Sequence, residues 1–350
     1  MTSQPRLTAT AVDSDLPPEA QPRRLRRRAL QTVALLGVIV AVVFLAPGLG
    51  EVRRLLDDAD PAWLALAVAL EALSCCSYVL GFRPVFCRRM SWRTTWEISW
   101  AELGMGSIVP ASGAGGLALG AWILRRGGMS ADRIARRSVA FFLIKSSVNF
   151  AAVAVIGTLL ALGLIGPHQP LWRTALPAAL AVATIVAVVA IGEVDERSPR
   201  GTEGARRWLT PVRRALVGGV REAVMFIRSG NAAIIVGSIG YWAFDNAVLW
   251  ATYHAVGASP PISVILMGYL IGQLGGALPI PGGVGGIDLG LVGTLIVYGA
   301  PANATVAAVF AYRVILFWLP LLVGAVAFWS LQRALKDPER ADLCNPMIAA

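Results

Sequence analysis

Long apolar runs alternate along this chain with short polar and basic stretches. Residues 29–49, 61–80, 138–165, 171–191, 231–257 and 303–330 are each mainly apolar over about 20 positions or more. At ~1.5 Å of helical rise per residue, each such run covers a hydrocarbon core of about 30 Å. The pattern predicts an all-α polytopic membrane protein with six full transmembrane helices.

Two further apolar segments, 95–126 and 262–299, are interrupted at their centres. The first carries Pro110, Gly113, Gly115 and Gly116, and the second carries Pro279, Pro281, Gly282, Gly283, Gly285 and Gly286. Proline removes a backbone donor and glycine permits angles that a helix forbids, so each segment is expected to be two half-helices meeting at a turn. The arm from Gly116 to Arg126 covers only about 16 Å as a helix, too short to cross. Two re-entrant hairpins are therefore predicted in place of further spans.

Charge orients these elements, because cytoplasmic loops near span ends are rich in Lys and Arg. With the N-terminus inside, 26 of the 31 basic residues fall in inside segments, and only Arg53, Arg54 and Arg173 fall outside. Lys145 and Arg313 lie within spans. Both termini are expected in the cytoplasm, with residues 1–28 a disordered basic tail, 29–332 the membrane domain and 333–350 a second tail. The region from Phe44 to Glu51 offers no A-x-A-like cleavage site, so 29–49 is expected to be a retained span and not a signal peptide. In this orientation the first hairpin enters from the cytosol and the second, three spans later, from outside.

The two hairpins also resemble each other. Gly113-Ala114-Gly115-Gly116 matches Gly283-Val284-Gly285-Gly286, and the stretch ending in Lys145 matches the one ending in Arg313. An inverted repeat follows, of the kind whose paired, Gly/Pro-interrupted segments build a site near the bilayer midplane in secondary transporters. The loop at 193–230 ends in a stretch where Val212, Leu216, Val220, Val224 and Ile227 recur at helical spacing, with Arg213, Arg214, Arg221 and Arg228 elsewhere on the wheel. It predicts an interfacial helix along the inner leaflet, drawn to anionic headgroups.

Composition adds little to this pattern: the chain is 56% hydrophobic and 15% charged, with a mean hydropathy of +0.64, as expected for the membrane class. Its net charge of +10 follows from the positive-inside bias and gives no reason to expect nucleic-acid binding. Cys75 and Cys76 fall within a span while Cys87 and Cys344 fall in segments assigned to the cytosol, so no disulfide framework is expected. His168 and His254 have no nearby Cys or His partner, so no metal site is expected, and no cofactor is implied.

Chemistry is expected where charge enters the membrane, since an ionisable residue within a span costs about 2.5–3.5 kcal/mol on insertion scales. Glu71, Glu102, Lys145, Asp245, Asp288 and Arg313 are of this kind. Arg313 lies about ten residues, or ~15 Å, into its span, close to mid-membrane. Asp245, beside Asn246, is expected to pair with Arg313, and Glu102 with Lys145, either as structural ion pairs or as a path for an anionic group. In the second case Lys145 and Arg313 attract a phosphate, helped by half-helix N-termini at Gly116 and Gly285. Asp288 would orient an arginine, shuttle a proton or complement its helix dipole. Enzyme signatures are missing: the sequence holds no G-x-x-x-x-G-K-[ST] loop, no G-x-S-x-G elbow and no H-E-x-x-H helix, so no catalytic residue is assigned.

The run from Leu278 through Asp288, with Tyr312-Arg313 and Phe317-Trp318-Leu319-Pro320 in the last span, resembles the transmembrane, flippase-like region of lysylphosphatidylglycerol synthases and its stand-alone relatives. Asp60-Pro61-Ala62-Trp63-Leu64 and Gly115-Gly116 before Arg125-Arg126-Gly127 carry the likeness over about residues 30–332. The family usually has Glu at the position of Asp288 and also after the first paired glycines, where this chain has Leu117. Larger members carry an aminoacyl-transfer domain, whereas about 20 residues follow the last span here. The resemblance implies lipid translocation without synthase activity, across the cytoplasmic membrane of a prokaryote. The expected cargo is an anionic phospholipid or a polyprenyl-phosphate-linked lipid. The rival expectations are a small-solute transporter, and a non-transporting scaffold for a lipid-modifying enzyme in which the 212–228 helix binds the partner.

Overall fold

The computed structural model describes residues 30, 34, 37, 49–108, 114–165, 170–193, 209–272 and 286–334. Every regular element among them is a helix, and there is no strand. In chain order these are α1 (Gly50–Asp57), α2 (Pro61–Phe86), α3 (Trp92–Ile108), α4 (Ala114–Arg126), α5 (Ala131–Ala161), α6 (Leu171–Gly192), α7 (Leu209–Arg228), α8 (Ala232–Ala255), α9 (Ile262–Gly272), α10 (Gly286–Val297) and α11 (Ala302–Ala334).

Five helices, α2, α5, α6, α8 and α11, are long and apolar enough to cross a membrane. They coincide with five of the six predicted spans, with α2 running on to Phe86 and α5 starting at Ala131, before the apolar run begins. The sixth, 29–49, lies outside the described residues apart from Leu30, Ala34, Gly37 and Leu49, of which the first three are helical. Local chemistry sets the ends. Asp60 opens α2 by accepting from Ala62 N at 2.8 Å, with Pro61 in the first turn. Asn231 opens α8 through Ala233 N and Ile234 N, and Ser130 opens α5 through Arg133 N at 3.4 Å. Cys87, just beyond α2, is disulfide-bonded, while Cys75 and Cys76 within α2 are free.

The central contact is between α2 and α8. They run antiparallel, since the Asp60 amide donates to Ala255 O at 2.9 Å at one end while Gly81 meets Gly237 towards the other. A Cβ on Gly237 would lie 2.7 Å from Gly81 N, so only glycine admits this approach. In lipid, where burial of apolar surface gives helices little reason to associate, such small-residue contacts hold them together. The α3–α11 contact is also antiparallel, with Gly104 against Pro320 and Gly324 and Ser330 Oγ donating to Glu97 at 2.8 Å.

Two hydrophobic cores sit at opposite ends of the α2–α8 pair. One gathers Tyr78, Phe82 and Phe86 of α2 with Phe141 of α5 and residues of α3 and α4. The other gathers Val248, Leu249 and Tyr253 of α8 with α9, α10 and α11. Each core therefore encloses one pair of short helices, α3 with α4 and α9 with α10. The described parts of α4, α9 and α10 are 13, 11 and 12 residues long, about 16–20 Å at ~1.5 Å per residue. In the second pair Gly268 faces Leu295 and Gly272 faces Leu291, so α9 and α10 lie antiparallel. The predicted hairpin tips, with Pro110, Gly113, Pro279, Pro281, Gly282, Gly283 and Gly285, lie outside the described residues.

Candidate functional site

Apart from Glu97, which binds Ser330 and Arg93, the buried carboxyls gather in two centres, one per short-helix pair. In the first, Glu102 of α3 is 4% exposed and lies against α4. Gly116 and Gly120 make this possible: a Cβ on Gly116 would fall 2.3 Å from Glu102 O, and one on Gly120 would fall 3.0 Å from Glu102 Oε2. Lys145 of α5 faces the same carboxylate and the two charges attract. Its Nζ also lies 4.3 Å from the ring centre of Tyr78, 5.0 Å from Phe141 and 5.2 Å from Tyr241. Three electron-rich faces around one ammonium form a cage, in which each contact is worth about 0.5–2 kcal/mol.

In the second centre, Asp245 of α8 accepts two phenolic hydrogen bonds. Tyr269 of α9 donates to Oδ2, and Tyr312 of α11 donates to Oδ1 at 3.0 Å. Arg313, next along α11, interacts electrostatically with the same carboxylate. Asn246 turns its Nδ2 to Trp242 O at 2.9 Å and buries an Oδ1 with no hydrogen-bond partner. Glu71 of α2 stands across the helix crossing from Asp245 and senses its charge. The two centres are joined through Tyr241, whose ring is over Lys145 on one side and whose hydroxyl feels Asp245 and Glu71 on the other.

Glu102 lies within electrostatic reach of Lys145, and Asp245 within reach of Arg313. Asp288 falls in the first turn of α10, but its side chain is outside the described residues. Gly116 lies in α4 and Gly286 opens the described part of α10, while Gly285 lies outside the described residues. The tyrosines at 78, 241 and 269 were not singled out from sequence. Their signal was a hydroxyl inside an apolar run, which needs a partner when buried.

Outside the two centres, the ends of the helices are clamped. Arg137 donates to Val85 O and Phe86 O at the end of α2, and with Arg136 it faces Glu222 of α7. At the opposite end Arg173 of α6 donates to Val297 O while the Tyr298 hydroxyl donates to Arg173 O. α7 packs on α5 through Gly219 and buries Val220, Ala223 and Phe226. It leaves Val212, Leu216 and Ile227 exposed along one strip and Arg214, Arg221 and Arg228 along another. His254 lies between Trp63 and Trp250 and shares a hydrogen bond with Trp250 O at 3.0 Å. Among the described residues no group of three or more His, Cys, Asp or Glu side chains is placed to hold a metal ion.

Comparison with known proteins places the chain among membrane proteins. Residues 31–324 match the family model described as the lysylphosphatidylglycerol synthase transmembrane region. A UPF0104 membrane protein of Methanothermobacter thermautotrophicus is 24% identical over 343 residues, covering 87% of this chain and 93% of that protein. A second match to a UPF0104 membrane protein of the same organism is 25% identical over 117 residues, 32% of this chain and 35% of the relative.

Proposed function

Because the chain belongs to the family of lysylphosphatidylglycerol synthase transmembrane regions, we propose that it moves an anionic lipid between the leaflets of a prokaryotic cytoplasmic membrane. The observation that carries this reading is the pair of short-helix units at opposite ends of the α2–α8 pair, each with a buried carboxyl and a half-buried basic side chain within electrostatic reach of it. In this reading α3–α4 and α9–α10 are re-entrant hairpins. The units α2–α5 and α8–α11 are inverted copies, and residues 29–49 supply a sixth span. The antiparallel course of α2 and α8 is what inversion of their two units requires.

A phospholipid phosphate or a polyprenyl phosphate would enter between the units with its chains left in lipid. It would displace part of the carboxylate's hold on Arg313 and accept from the guanidinium in its place. Lys145, Asn246 and the first-turn N–H groups of α4 and α10, next to Gly116 and Asp288, complete the path. Both termini would be cytoplasmic, with α7 lying on the inner leaflet through its apolar strip and its arginines on headgroups. The exposed basic strip of α7 also favours a second reading, a scaffold for a lipid-modifying enzyme.

Reconstitution separates the two. Liposomes containing fluorescent phosphatidylglycerol are expected to expose more of it to an external quencher with the protein than without, and Arg313→Ala to slow this at least tenfold. A scaffold would instead tolerate Arg313→Ala and lose its partner on neutralisation of Arg214, Arg221 and Arg228. Failure of the wild type to exceed protein-free liposomes with either phosphatidylglycerol or a polyprenyl phosphate would sink the transport reading.

A further inference from the structure

Three buried carboxyls line the polar seam, and they are provided for unequally. Asp245 holds two tyrosyl hydroxyls and lies near Arg313. Glu102 also has an Oε2 with no hydrogen-bond partner, but Lys145 lies near it as a counter-charge. Glu71 is 5% exposed, yet its Oε1 accepts only from the Cys75 thiol, 3.4 Å away and one turn along the same helix. Its Oε2 has no hydrogen-bond partner. A thiol is a weak donor, and a carboxylate this poorly solvated is the kind of group that proton relays in membranes employ.

The charged and titratable groups around Glu71 come from four helices. Cys75 shares its own helix, Asp245 and Tyr241 face it from α8, Tyr269 from α9 and Tyr312 from α11, with Arg313 next to Tyr312 acting on Asp245. Two carboxyls therefore share one guanidinium in this group. Once a further anion draws on that guanidinium, an ionised Glu71 would be a negative charge with no cation against it.

We propose that Glu71 takes up a proton when an anionic headgroup engages Arg313 and gives it back when the headgroup leaves, so that lipid and proton move together. This rests on the transport reading above. The balance is simple: a phosphate brings one negative charge to Arg313, and one proton from the aqueous phase forms the O–H bond of the Glu71 carboxyl. On release the O–H bond breaks, the proton returns to water on the side to which the site is then open, and the guanidinium turns back to Asp245. Tyr269 ties the exchange to the second hairpin and Tyr312 ties it to α11, because both donate to the carboxylate that must share Arg313.

Two readouts test the coupling. In proteoliposomes containing fluorescent phosphatidylglycerol, with membrane potential clamped, a two-unit pH gradient is expected to change the initial rate of net lipid movement severalfold. Glu71→Gln, nearly isosteric and checked for folding by gel filtration, is expected to move lipid at a rate indifferent to the gradient, and Glu71→Asp to restore the response. In detergent, calorimetric titration of the protein with phosphatidylglycerol in buffers of different ionisation enthalpy should report about one proton taken up per lipid, and none in Glu71→Gln. Lipid movement by the wild type without a gradient response, or binding without proton uptake, overturns the coupling and leaves the transport reading standing. A gradient response that survives in Glu71→Gln overturns the role of Glu71. Absence of both movement and binding overturns the transport reading and the coupling with it.

Discussion

At the scale of single residues, the buried charges show why a membrane protein retains polar groups at all. Glu102 and Lys145 could be expected to meet because each is costly alone in a span, and one partner lowers the cost for both. The cage of Tyr78, Phe141 and Tyr241 around the ammonium was not legible, since an aromatic residue in an apolar run reads as ordinary core. Cage and carboxylate divide the work of holding Lys145, which yields a test. Glu102→Gln leaves the ammonium with rings alone and is expected to lower stability by about 1–3 kcal/mol, below the ~3–5 kcal/mol typical of a broken buried pair without such support. Adding Lys145→Met removes the uncompensated charge and should recover part of that loss. Thermal unfolding in detergent of the two single variants and the double variant measures the coupling; strict additivity would mean that the pair contributes nothing as a pair.

Among elements, the long helices were the most legible because length and hydropathy alone define them. The five long apolar helices fall on five of the runs picked out by composition. The short helices rested on a different signal, Pro and Gly clusters that mostly lie outside the described residues. What no pattern disclosed is which helices touch. That is decided by single glycines: Gly81 against Gly237 and Gly104 against Gly324 allow backbone approaches that any side chain would prevent. A leucine at 237 must push α8 away from the backbone of α2, where Ser77 O and Gly81 N leave no flexible side chain to yield. Overpacking of this kind costs about 1–3 kcal/mol. Gly237→Leu is therefore expected to lower the unfolding temperature in detergent and to break the Ser74 Oγ bond to Tyr241 O. In contrast, leucine at Gly293, which has open space around it, should be neutral. Equal effects at the two sites would mean that the α2–α8 approach does not depend on glycine.

For the whole molecule, two independent arguments bear on how the chain sits in the membrane, and one experiment separates them. Geometry places the start of α2 and the end of α8 together, because the Asp60 amide donates to Ala255 O. It places the end of α2 beside the start of α5, because Arg137 reaches Val85 O and Phe86 O. Charge then assigns the second of these ends to the cytoplasm, where 26 of the 31 basic residues are expected. Cysteines introduced singly at Asp58, Ala258, Arg88 and Ser229, in a background lacking the native thiols, report both. With a membrane-impermeant maleimide added to intact cells, positions 58 and 258 are expected to label, and positions 88 and 229 only after the membrane is opened. Labelling of the first two without the last two supports both arguments. The reverse pattern would keep the fold and reject the charge assignment, which would also exchange the sides from which the two hairpins enter. A split within either pair would reject the antiparallel α2–α8 arrangement itself, and the inverted repeat built on it would fall.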